Sequence, residues 1–283
     1  MSSSITARPG TSDTDSPSER RPSPQALSAA TALAQRARGR SAQLRRVFVE
    51  REDVAEPTPL AQVIRGGRGG EVRLKTYLSM LFIAGAAPYD VSYPARAWAT
   101  LLDLDKPETK GARRVNEAVS WLEANDFVTV ANNPGQPSRV TLLNERGKGE
   151  KYELPGEVYN RLRSKKGDDA AKRNRYVKIP PEFWTSGWLS ALSTPAVSMY
   201  LVLLCAQTSD EVSEVWFSPD QASKLYALSP DTRSRGLAEL RDAGLVKVRR
   251  RALSNDVFDV QRFRNAYTLD MARLGESASI PLS

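Results

Sequence analysis

The sequence predicts a mainly α-helical α+β protein. Two small helical domains stand in tandem, each closed by a β-hairpin, behind a disordered N-terminal tail. Three observations carry this expectation. First, "TKGARRVNEAVSWLEANDFVTV" (109–130) and "SPDTRSRGLAELRDAGLVKV" (229–248) each read as a helix with arginines near its start, an apolar stripe, a turn and a strand. Second, each stretch follows apolar helical runs and precedes a turn-rich loop and another strand-like run, so one plan recurs about 120 residues later. Third, residues 1–25 are rich in Ser, Pro, Thr and charge, with too little apolar content to offset the entropy of ordering.

Composition narrows the function before any motif does. The chain has 283 residues, 40% of them hydrophobic, and a formal net charge of +8. That length suits one large or two small domains once flexible ends are removed, and the charge favours an anionic partner, nucleic acid ahead of a membrane surface. There is one cysteine, Cys205, inside the apolar run "MYLVLLCAQT", and no histidine. Cys205 reads as a small buried hydrophobe rather than a catalytic thiol. Without histidine there is no Ser-His-Asp or Cys-His triad and no His-based zinc site. No apolar run is long enough to span a membrane and the N-terminus has no signal-peptide core, so a cytoplasmic location is expected.

Residues 26–72 read as a basic arm and linker. Ala26, Ala30, Leu33, Ala37, Leu44 and Val47 give only a weak helical stripe among clustered arginines, and "RGGRGG" sits in a Pro/Gly stretch. The first domain covers 73–149. Leu74, Tyr77, Leu78 and Leu81 stand at helical spacing, Ser92 and Pro94 suit the start of a second helix, and Val115, Val119 and Leu122 give the third its inner face. Two strand-like runs then flank "NNPGQPS". Residues 150–175 are charged and poor in apolar side chains, which predicts a helix running into a flexible linker. The second domain covers 176–275, with Ser193 or Thr194, Ser218 and Ser229 each placed before a proline to start a helix, and residues 276–283 read as a frayed tail. The five tryptophans, Trp98, Trp121, Trp184, Trp188 and Trp216, read as packing residues.

Helix, helix, helix, strand, Gly/Pro loop, strand is the winged-helix pattern, and the chain resembles that superfamily twice. "ARRVNEAVSWLEANDFV" carries the likeness in the first domain; "RGLAELRDAGLVKV" carries a tighter one in the second. The resemblance implies double-stranded DNA as partner, with side chains near the start of each third helix reaching base edges. These are Lys110, Arg113, Arg114 and Asn116 in the first domain, and Thr232, Arg233 and Arg235 in the second, with Asp231 reading as a cap. Lys247, Arg249, Arg250 and Arg251 enter the second hairpin and Arg262 and Arg264 leave it, a basic wing for phosphate or minor-groove contact.

Two helices in neighbouring major grooves, a wing on phosphate and a basic arm at 36–46 wrapped nearby make the expected mode of binding. The architecture is similar to that of plasmid replication initiators, and equally to bacterial winged-helix regulators. A homodimer or a replication or partition protein is the further partner expected. The alternative is an adaptor, since tandem winged helices also hold other proteins; arginines on both third helices favour DNA. "RGGRGG" and "ERGKGEK" fail the phosphate-loop spacing. No clustered carboxylates suggest a two-metal site. The expectation is therefore a non-catalytic protein that needs no cofactor and no metal.

Overall fold

A computed structural model describes residues 19–53, 55–66, 68–132, 134–207, 214–253 and 262–282. The protein is mixed α/β, with helix predominating and the described strands gathered in four small sheets.

The described chain opens with β1 (Glu19–Arg20) and α1 (Pro24–Arg36). Ser23 caps α1, its hydroxyl accepting from the Ala26 amide, and Pro24 fills the first turn, where no amide donor is missed. Ala26, Ala30 and Leu33 are buried along one face. β2 (Ala42–Arg45) follows, then a tight turn that buries Val47 and Phe48, then α2 (Pro59–Ile64), capped by Thr58. The span 26–53, read as a basic arm, is packed into the fold. Alanines weigh little in an apolar stripe, yet they let elements approach closely, and here they bury almost completely.

The first unit comprises α3 (Arg68–Ile83), β3 (Asp90–Val91), α4 (Ala95–Leu101), α5 (Ala112–Ala124), β4 (Val128–Ala131) and β5 (Arg139–Leu142). Its strands form one antiparallel sheet in the order β3-β5-β4, with Val140 between Val91 and Val130. Leu74, Tyr77, Leu78 and Leu81 are buried, and α5 packs on α3 and α4 through Val115 and Leu122. Ser92 does not cap α4. Its hydroxyl donates 3.0 Å to the Pro137 carbonyl in the hairpin loop, and Pro94 takes the cap position without a side-chain bond.

The stretch read as a helix running into a flexible linker, 150–175, holds α6 (Pro155–Lys166) and α7 (Asp168–Ala171), and β6 (Tyr176–Ile179) follows it. β6 pairs antiparallel with β2, Leu44 opposite Val177 and Ala42 opposite Ile179. Beside this ladder Arg45 and Glu145, both fully buried, form an ion pair. Arg45 also donates to the Glu153 carbonyl at 2.6 Å and to Asn174 Oδ1 at 3.3 Å, and lies over the Tyr152 ring. These ties order a segment whose own composition would leave it loose.

The second unit comprises α8 (Glu182–Thr185), α9 (Trp188–Ala191), α10 (Thr194–Gln207), α11 (Pro219–Tyr226), α12 (Pro230–Asp242), β7 (Val246–Ala252), β8 (Phe263–Leu269) and β9 (Ile280–Pro281). β7 and β8 form a hairpin, and Val215 bridges to Tyr267 on the far edge of β8. From α10 onward the order of the first unit recurs: helix, short pairing strand, helix, helix, hairpin, with Val215 standing where β3 stood. α10 is apolar on nearly every side because it packs against α12, β8, α3 and β6 together.

The two units share one core. Phe82 of α3 stacks on Trp184 at 4.2 Å, and the Trp184 indole N–H donates 3.1 Å to Ser79. Lys75 of α3 is buried and donates 3.0 Å to the Ser190 carbonyl; burial lowers its pKa, against the pull of Glu71. The N-terminal segment braces both sides. Ser23 donates 2.6 Å to Asp103 in the first unit, while Arg20 pairs at 2.6 Å with Glu239 of α12 in the second. β1 pairs with β9, so residues 19–20 and 280–281, read as belonging to loose tails, hold each other. Residues 1–18 and 283 lie outside the described residues.

Candidate nucleic-acid interface

α12 is set by a close approach. A Cβ at Gly236 would meet the Pro195 carbonyl oxygen at 2.3 Å, so glycine lets α12 lie against the start of α10. Glu239 fixes the contact by accepting from the Ser193 amide at 2.8 Å and from its hydroxyl. Ser229, not Asp231, is the cap, its hydroxyl accepting from the Thr232 amide. On the opposite face Asp231 and Arg235 are exposed, 3.6 Å apart. Thr232 and Arg233 are half-buried on the flanks.

Arg235 and Thr232 also line a cleft of about 570 Å³ with Arg51, Arg65 and Glu71. Arg65 belongs to "RGGRGG", and nothing in the sequence foretold its place beside the second unit's third helix. A Cβ at Gly70 would meet the Ile64 carbonyl oxygen at 2.3 Å, so that glycine serves the tight path between α2 and α3.

In the first unit Lys110 is exposed in a wide turn at Pro107–Gly111. Arg113 and Asn116 are exposed on α5, and Arg114 is half-buried. Arg113 is bound 2.8 Å to Glu117, a hydrogen bond that raises its pKa, and the carboxylate offsets its charge.

Strand alternation divides the hairpin cations. Lys247, Arg249 and Arg251 share one face, while Arg250 shares the other with Val246 and Val248. The first three meet carboxylates. Arg251 donates to Glu214 at 2.6 and 2.8 Å, Arg249 reaches it at 3.5 Å, and Lys247 pairs with Asp270 at 2.7 Å. Hydrogen bonds from Arg251 and from Lys247 hold Glu214 and Asp270 below the usual carboxylate range. Glu214 was not foreseen, because its neighbours across the sheet lie more than thirty residues away. Arg250 stacks over Phe263 at 4.7 Å, and Arg264 over Trp216 at 4.2 Å. Arg262 is exposed; residues 254–261 lie outside the described residues.

In the arm at 36–46, Arg36, Arg38 and Arg40 are exposed. Arg36 covers the Tyr93 ring, Arg40 reaches the Gly85 carbonyl, Arg45 is buried and Arg46 pairs with Glu50 at 2.7 Å. Trp98, Trp184 and Trp188 are buried as read and Trp121 partly so, but Trp216 is 44% exposed. Cys205 is buried, which pushes its thiol well above the usual range.

No helix among the described residues is long and apolar enough to cross a membrane. Comparison with known protein families, with curated proteins and with solved structures found no match.

Proposed function

We propose that the protein is a tandem winged-helix, non-catalytic binder of double-stranded DNA, with the second unit as principal reader. The observation that carries the reading is α12. It packs against the start of α10 with its buried side pinned at Gly236, it turns Arg235 outward, and the hairpin that follows it bears exposed Lys247, Arg249, Arg250, Arg251 and Arg262. Guanidinium groups at such a helix start suit guanine edges, and hairpin cations suit phosphate. The net charge of +8 adds long-range attraction. A plasmid replication initiator or a transcriptional regulator would each use such a reader.

The exposed Arg113–Glu117 pair, which offsets one cation at the start of α5, favours a second reading for the first unit alone, as a surface that holds a protein. The test of duplex binding is Arg235→Glu, measured by fluorescence anisotropy on duplex DNA beside a thermal melt. Affinity should fall by roughly 10- to 100-fold. The melt should stay put, because the side chain is exposed. Unchanged affinity would remove α12 as the reader.

A further inference from the structure

Between α12 and the hairpin runs a groove of about 570 Å³. Arg233 and Leu237 line it from the helix, and Leu253, just past the end of β7, and Phe263, on the face that carries Arg250, line it from the hairpin; Arg264, opposite Arg251 on the other face, and Trp216, next to the bridging Val215, reach it at the far edge of β8. Three of its side chains, Trp216, Leu253 and Phe263, are large, apolar and 44–54% exposed. Lack of core space does not explain this, since Trp98, Trp184 and Trp188 are buried in the same molecule. Both exposed rings carry a guanidinium on one face, Arg264 on Trp216 and Arg250 on Phe263. No carboxylate is among the described lining residues.

We infer that this groove binds single-stranded nucleic acid, by stacking unpaired bases on Trp216 and Phe263. The chemistry asks for a ligand that is anionic and presents flat faces. A duplex is anionic but buries its base faces, so docking on α12 leaves these two rings idle. An unpaired strand offers both features. Each base has a face for an aromatic ring, and the arginines take up the phosphate charge. The layering of guanidinium on ring is continued by a planar heterocycle on the ring's open side. An acidic peptide would match the charge and fill the apolar floor, but it would not need two ring faces. The site goes beyond the duplex reading and does not depend on it.

The test is anisotropy with a short fluorescein-labelled oligothymidylate on the full chain, with poly-glutamate as competitor. Trp216→Ala and Phe263→Ala should each weaken binding by about 10-fold, the ordinary loss for one stacked base. Trp216→Phe should restore most of it, and duplex binding should change far less than under Arg235→Glu. Thermal melts confirm that the variants fold. No binding of the oligothymidylate, or binding indifferent to both alanines, would overturn the proposal. So would poly-glutamate bound as tightly and with the same dependence on Trp216, which would assign the groove to an acidic peptide. Loss of duplex binding alone, through Arg235→Glu, leaves this result independent.

Discussion

Arg45 shows how much one residue can hold. It lies in a span that reads as a basic arm, and in the fold it is buried, paired with Glu145, and bonded to the Glu153 carbonyl and Asn174. Truncating one partner of such a pair leaves a buried charge uncompensated. Arg45→Met is therefore expected to destabilise the protein by about 3–5 kcal/mol. The double replacement Arg45→Met with Glu145→Leu should recover much of that loss, since no charge then remains buried. Denaturant titration of the three proteins checks this; strictly additive losses would mean that the two residues do not act as a pair. Sequence reasoning missed the pair because Glu145 lies a hundred residues away, and an arginine's run of neighbours does not tell whether it meets water or a carboxylate. The same blindness explains Trp216. Its local pattern resembles that of the buried tryptophans, and only its place at the sheet edge decides otherwise.

At the scale of elements, local patterns were more informative. The stripes of α3 and α5, the Ser229 cap and Pro230 start of α12, and the two hairpins can be read from spacing and turn chemistry, which act within a few residues. What the pattern could not tell was which hairpin cations are already engaged. Glu214 partly neutralises Arg249 and Arg251. Glu214→Gln should therefore raise duplex affinity severalfold at low salt and steepen the salt dependence by roughly one unit, as freed cations meet phosphate. Acid should act in the same direction. The Glu214 carboxyl is held below its usual range by Arg251, so the ion pair's contribution is present above the ordinary carboxylate value and lost as pH falls through the lowered one. An unchanged salt slope in Glu214→Gln would mean that this face of the hairpin points away from DNA.

The whole molecule differs most from the beads-on-a-linker picture that composition suggests. Charged and alanine-rich segments at 19–53 and 150–179 become strands, helices and a brace between the two units, and the units share a core through Phe82 and Trp184. Such order arises from contacts between segments far apart in the chain, which neither periodicity nor composition registers. The consequence for function is geometric. If α5 and α12 both read DNA, their separation is fixed by the core and cannot be adjusted by a linker. A flexible pair tolerates variable spacing between its two targets; a rigid pair does not. The most direct test is selection of bound duplexes from a random-sequence pool by the purified full chain, followed by sequencing. A single bipartite motif with one gap length is the predicted result, with affinity lost when about 5 base pairs, half a helical turn, are inserted in the gap. A pool that gains no motif over rounds, or two motifs recovered at freely varying spacing, would contradict the account of one rigid chain reading duplex DNA.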